Sequence, residues 1–208
     1  MSKDGVKKFD KPSFDKNTMK VQRRRVLKSL LGSMGLAALG AAPNLRAQGH
    51  DYGIKGQSAP NLKVTNWIDS NGNPGNFELA DHAGKWIFLK CFQSWCPGCH
   101  SHGFPALKKI SDALEDNPQV VFAGIQTVFE GPNTNTVDKV RKMQLQYDLR
   151  LPMSHDDGGS RGRSNTMFDY RTGGTPWMVV ITPDRYVAYN DFGIDADKAI
   201  KFFKEMTS

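Results

Sequence analysis

The run "WIFLKCFQSWCPGCH", Trp86 to His100, constrains the fold of this chain more than any other stretch. Trp86–Phe92 is almost continuously apolar and carries aromatic and β-branched residues, the pattern of a strand covered on both faces. A close pair, Cys96 and Cys99, follows at once, and Phe104, Leu107, Ile110 and Leu114 then recur on one helical face. A strand covered on both sides needs packed layers around it, so the run predicts an α/β fold with a mixed central sheet flanked by helices. It also sets the two cysteines at the carboxyl end of a central strand, where chemistry gathers in open α/β sheets.

The flanking segments fill out this plan. "LKVTNWI" (Leu62–Ile68), the turn-rich "DSNGNPGN" and "FELADHAGK" predict an N-terminal β-hairpin extension. "VVFAGIQTV" (Val120–Val128) reads as a second buried strand. Val137, Val140, Met143 and Tyr147 are spaced as one face of an amphipathic helix. The polar "SHDDGGSRGRSN" (Ser154–Asn165) is expected to be an exposed loop. "GGTPWMVVITPDRYVAYNDF" supplies a strand, a turn at Pro183-Asp184 and an antiparallel return strand. A closing helix is expected to be capped by Asp195 and to turn Ala199, Phe203 and Met206 inward. One domain is expected over 61–208, preceded by a Gly/Ser/Pro-rich linker over 48–60.

Charge argues against a nucleic-acid partner. The chain carries a net charge of +7, from 28 basic and 21 acidic residues. Eleven of the basic and three of the acidic residues lie in 1–47, leaving 17 against 18 in 48–208. The basicity therefore belongs to the N-terminal segment, not to a binding face. That segment reads as an export signal peptide. Arg23-Arg24-x-Val26-Leu27-Lys28 resembles the twin-arginine signal Arg-Arg-x-Phe-Leu-Lys, and the weakly apolar "SLLGSMGLAALGAA" follows it. The apolar stretch is shorter than the about 20 residues a spanning helix needs. Cleavage is expected after Ala47. Leu45 at the −3 position is larger than usual and leaves an uncleaved anchor open. The expected location is the periplasm, with membrane contact only through this segment.

Three cysteines cannot form a closed disulfide framework, so redox or metal chemistry is indicated instead. Zinc lacks its remaining ligands: no second Cys-x-x-Cys or spaced His pair accompanies His100 and His102. Cys-x-x-Cys-His is also the attachment signature of a c-type haem, with His100 as iron ligand. Against haem stand the strand leading into the motif and the helix after it. The twin-arginine route also carries folded proteins, whereas haem is attached to an unfolded chain. At a helix N-terminus, free N–H groups and the macrodipole stabilise a thiolate. Cys96 is thus the expected nucleophile and Cys99, one turn on, the resolving thiol. Pro97 suits the first helical turn, where its missing N–H costs nothing. Cys91, on the strand, is expected to be an inert buried thiol. No metal or cofactor is expected.

With Trp95-Cys96-Pro97-Gly98-Cys99 and "GGTPW" (Gly173–Trp177) on these elements, residues 61–206 resemble the thioredoxin-fold disulfide reductases of the bacterial envelope, the TlpA-like group. The resemblance implies a thioredoxin-like fold and reduction of protein disulfides by a Cys-Pro-Gly-Cys couple, with electrons from a membrane donor. It also implies that Pro176 is a cis-proline opposing the Cys pair, and that Trp95, Thr175 and Pro176 contact substrate. Several positions depart from the pattern. "YRTGGTP" stands for Tyr-x-Val-x-Gly-x-Pro, His102 occupies the place of a helix Glu, and Pro105 comes one position late. Lys90 stands where thioredoxins keep a buried carboxylate that helps deprotonate the resolving thiol. A cation there lowers thiol pKa values, unless the side chain simply reaches the surface. The proton acceptor for Cys99 is then open, with Glu130 a candidate. A peroxiredoxin-like peroxidase is the alternative enzyme, although Leu89 and Phe92 occupy the positions where its Pro-x-x-x-Thr/Ser-x-x-Cys pattern requires proline. A thiol-binding chaperone with apolar surface around Trp95 and Trp177 is the non-catalytic alternative.

Overall fold

A computed structural model describes residues 52–208. The expected export signal, its cleavage point and the first residues of the expected linker lie outside the described residues. No helix among the described residues is long and apolar enough to cross a membrane.

Among the described residues, seven strands form one mixed sheet: β1 (Asn66–Ile68), β2 (Pro74–Gly75), β3 (Trp86–Phe92), β4 (Val120–Thr127), β5 (Met153–Asp156), β6 (Trp177–Ile181) and β7 (Val187–Phe192). Their spatial order is β2-β1-β5-β4-β3-β6-β7. β3 is central, parallel to β4 and antiparallel to β6, with Lys90 opposite Gly124 and Met178. All seven of its residues are buried, as its apolar composition requires. Its two faces serve different layers. Trp86, Phe88 and Phe92 meet Phe104 of α1 (Phe104–Ala113) and Phe202 and Phe203 of α4 (Ala196–Met206). Ile87, Leu89 and Cys91 point the other way, into a cluster with Leu62, Trp67, Phe77, Tyr170 and Trp177. Burying each such side chain contributes roughly 1.5–3 kcal/mol.

The β3–α1–β4 unit, the closing hairpin and the Asp195 cap, which accepts the Lys198 N–H at 3.2 Å, stand as the residue pattern predicts. An N-terminal hairpin forms too, but its second strand β2 lies inside the expected turn, and "FELADHAGK" holds a 3-10 turn at Leu79–His82 instead of a strand. Other expectations do not hold. The first part of the expected exposed loop is strand β5, buried throughout and parallel to β4. "MSHD" carries three polar residues in four, and two of them, His155 and Asp156, find internal partners. His155 meets Gln126 at 2.8 Å, and the Asp156 carboxylate accepts from Ser164, Asn165 and Thr166. Asp156 thereby anchors the short helix α3 (Asn165–Asp169).

The described part of the expected linker is packed against the domain. Ile54 and Ala59 are buried, Ser58 bridges Tyr186, and the Gly56 N–H donates to Val187. Helix α2 (Asp138–Gln146) buries Val140 and Met143 but leaves Val137 exposed. In α4, Phe202 takes the inward place expected of Met206, which is exposed.

Candidate active site

The chain leaves β3 at Phe92 and turns through Gln93–Trp95 into the Cys pair, which places Cys96 at the head of a helix. The Cys96 thiol is nearly buried and donates to the Thr175 carbonyl at 3.4 Å. The Cys99 N–H in turn donates to the Cys96 sulfur at 3.2 Å, one of the free N–H groups at the helix head. Cys99 is fully buried below it, and burial above all pushes its thiol up to about 11, against the opposing pull of Lys90. Cys91 lies on the opposite face of β3, pushed up to about 12 by burial, an unreactive core thiol.

Thr175–Pro176 is a cis peptide and meets the Cys pair from the start of β6. Proximity leaves little room: a Cβ on Gly98 would stand 3.2 Å from Pro176 Cδ, and one on Gly103 2.7 Å from Pro176 Cβ. Trp95 is 42% exposed beside Cys96, and Pro97 is exposed at the first helical turn. The five residues Cys99–Gly103 form a π-helical turn, closed by the Phe104 N–H to the Cys99 carbonyl. Such a turn accommodates one extra residue in a helix. It accounts for Pro105 arriving one position late while still falling in the first turn of α1.

Lys90 does not reach the surface. It is fully buried on the helix-facing side of β3, its Nζ 5.0 Å from the centroid of the Phe104 ring and without a hydrogen-bond partner. Glu130 lies apart, exposed after β4, and what it contributes is its carbonyl to Asn135. The structure thus brings Lys90, Trp95, Thr175 and Pro176 to the Cys pair and leaves Glu130 outside.

Two groups that sequence reasoning missed hold the loop. Asn135 is buried, and its Oδ1 accepts the Ser94 N–H at 2.8 Å while its Nδ2 donates to Gln93 Oε1 at 2.8 Å. A lone Asn in a polar loop carries no signal for this. His100 spans Ser94 and Tyr147: Nε2 lies 2.7 Å from the Ser94 carbonyl and Nδ1 2.5 Å from the Tyr147 hydroxyl. The carbonyl can only accept, so Nε2 carries a proton. Both ring nitrogens are occupied and Cys99 is enclosed, an arrangement opposed to iron ligation and haem attachment. Among the described residues, no group of three or more His, Cys, Asp or Glu is arranged to hold a metal ion.

A thiol at a helix N-terminus, a buried partner thiol and a cis-proline across from them define a dithiol protein of the thioredoxin-like fold. The chain belongs to the AhpC/TSA family, whose sequence pattern matches residues 55–190. The thiol-disulfide oxidoreductases ResA of Bacillus thuringiensis and Bacillus cereus are each 30% identical over 104 residues, 50% of this chain and 53% of theirs. The chain thus spans about half the length of these curated relatives. A crystal structure of a thioredoxin-like superfamily protein aligns with 72% of this chain and 95% of its own, at 27% identity and a TM-score of 0.64. A thiol-disulfide isomerase from Corynebacterium glutamicum aligns with 73% and 96%, at 25% identity and a TM-score of 0.62.

Proposed function

We propose that the protein is a thiol–disulfide oxidoreductase of the bacterial envelope that reduces protein disulfides through the Cys96–Cys99 couple. The observation that carries this reading is the Cys96 sulfur, held between the Cys99 N–H and the Thr175 carbonyl beside a cis-proline. The Cys96 thiolate attacks a substrate disulfide, forms a mixed disulfide and expels one substrate thiolate, which takes up a proton. Cys99 then attacks the Cys96 sulfur, closes the intramolecular disulfide and releases the second substrate thiol. Two electrons pass to the substrate, and a dithiol donor must return them. Once Cys96 is in the mixed disulfide it no longer donates to Thr175, and that carbonyl is free to accept an N–H from an extended substrate chain. Trp95 is exposed beside Cys96, where it can meet the same chain.

Export by the twin-arginine signal at Arg23-Arg24 and reduction by a membrane donor belong to the same reading. The resemblance to the ResA thiol-disulfide oxidoreductases supports the thiol–disulfide exchange in this reading. The test is insulin-disulfide reduction by the purified chain, with the potential of the couple measured in glutathione buffers. A reductase shows a potential near thioredoxin's roughly −270 mV, and Cys96→Ser abolishes turnover. A value near −120 mV would reverse the direction of electron flow. Peroxide turnover without disulfide reduction would assign the peroxidase reading instead. Retention of cellular function by Cys96→Ser would assign the chaperone reading.

A further inference from the structure

We propose that His100 is a positioning residue for the attack step, holding the Ser94 carbonyl so that the Cys96 sulfur stays aimed at an incoming disulfide. This rests on the oxidoreductase reading of the same site. Only Gln93, Ser94 and Trp95 join the end of β3 to Cys96. Asn135 holds this turn through the Gln93 amide oxygen, the Ser94 N–H and the Ser94 hydroxyl. The Ser94 carbonyl is left to His100, the residue directly after Cys99, whose Nε2–H donates to it at 2.7 Å. Ser94 is thus bound at all three of its polar groups. His100 is itself braced. With the proton on Nε2, Nδ1 of the neutral ring accepts from the Tyr147 hydroxyl at 2.5 Å, and Gln146 Nε2 donates to that hydroxyl oxygen at 3.3 Å. Tyr147 stacks on Phe104 with ring centroids 4.4 Å apart, and Phe104 packs on Phe92 at 5.0 Å. A closed circuit therefore runs from the last residue of β3 through Phe104, Tyr147 and His100 back to Ser94.

The Ser94 carbonyl and the Trp95 N–H share one rigid peptide plane, so turning the carbonyl turns the chain that leads into Cys96. Without His100 the carbonyl is a part-buried acceptor with no donor, and it gains by rotating toward water. The Cys96 sulfur has a narrow seat to lose, between the Cys99 N–H at 3.2 Å and the Thr175 carbonyl at 3.4 Å. Misplacing a reacting atom by about 1 Å can cost on the order of 10²-fold in rate. Both ring nitrogens of His100 are engaged, so it neither takes nor delivers a proton at the thiols. Its part in the reaction is geometric.

Stopped-flow reaction of the reduced full chain with the aromatic disulfide dithionitrobenzoate reads attack by Cys96 as the first release of thionitrobenzoate. His100→Leu keeps bulk beside Phe104 but has no donor, and its first phase should slow about tenfold. In His100→Gln the amide nitrogen stands near the place of Nε2 and can donate to Ser94, so the rate should return to within about threefold of the unsubstituted chain. His100→Asn carries its amide near the place of Nδ1, short of Ser94, and should stay as slow as His100→Leu. A residue that only filled space would not rank Gln above Asn. Equal first phases in the Gln and Asn variants, or a His100→Leu rate within about twofold of the unsubstituted one, overturns the proposal. If His100→Leu does not fold, the comparison of Gln with Asn decides. Nitrogen NMR of the histidine rings gives an independent reading: the His100 proton should sit on Nε2, and an Nδ1–H tautomer would equally overturn the proposal. A first release with no second one from the unsubstituted chain would instead overturn the oxidoreductase reading.

Discussion

The Cys96 sulfur lies 3.4 Å from the carbonyl oxygen of Thr175, a residue 79 positions further along the chain. That contact joins the helix-head thiol to the cis-proline loop and defines where a substrate chain must lie. A thiol in contact with a backbone acceptor on one side, and with a second thiol buried on the other, is approachable from one direction. Replacing the resolver should therefore trap substrate. Cys99→Ser is expected to accumulate a mixed disulfide on Cys96, visible by intact mass after reaction with oxidised peptide, whereas Cys96→Ser accumulates none.

Lys90 should reduce stability at neutral pH. Its folded-state proton affinity is depressed by burial, so between the folded and unfolded values the unfolded chain binds more protons and stability rises with pH. Below the folded value the buried ammonium's penalty is present in full. Lys90→Met should therefore raise the melting temperature of the oxidised protein, by about 1–4 kcal/mol in stability at neutral pH. The gain should shrink as the pH approaches 10. Thermal melts of both proteins across pH 6–10 check this, and a gain that grows with pH would contradict it.

Alkali should destabilise the reduced protein through its buried thiols. Cys91 and Cys99 are raised to about 12 and about 11 from an ordinary 9.0. Their contribution is whole below pH 9 and is lost as pH rises through the folded values. Cys91→Ala is expected to cost about 1 kcal/mol at pH 7 and to flatten the alkaline loss. Urea denaturation at pH 7 and pH 10 measures both effects.

Gly103 should not tolerate a side chain. A Cβ there meets Lys90 Nζ at 2.4 Å and Pro176 Cβ at 2.7 Å, and the second cannot swing aside. Gly103→Ala is expected to cost about 1–3 kcal/mol, outweighing the up to about 1 kcal/mol that alanine contributes in a helix. Gly98→Ala, with its nearest contact at 3.2 Å, should be milder. Urea denaturation of the two variants gives the ranking.

Asn135 should act on the active-site loop from a distance. Asn135→Ala leaves the part-buried Ser94 N–H and the buried Gln93 amide oxygen without this partner. A loss of about 1–3 kcal/mol is expected. Insulin reduction should slow while the Cys96→Ser background stays inactive, and the reduced fluorescence anisotropy of Trp95 would report the loosened loop.

Much of this molecule was written in local pattern. Trp86–Phe92 had to be a strand covered on both faces, because six of its seven residues are apolar and fall on both faces. The close cysteine pair had to follow it at a helix head, and Thr175-Pro176 had to precede the next buried strand. Three things were settled only when the chain closed. Met153–Asp156 is a strand although three of its four residues are polar, because β1 and β4 pair with it on either side and Gln126 meets His155 from 29 positions earlier. The stretch 52–60, composed like a linker, is held by backbone bonds to Val187, Arg185 and Arg171. Lys90 could have extended to solvent or stayed inside, and its own letter does not distinguish them. Helix α1 and its π turn cover that face of β3, so the lysine is buried beneath Phe104 and Gly103. Sequence alone specified the thiols and the strand that carries them, since both follow from near neighbours. The protonation chemistry around those thiols depends on desolvation and on contacts between distant segments, and only the tertiary structure decides them.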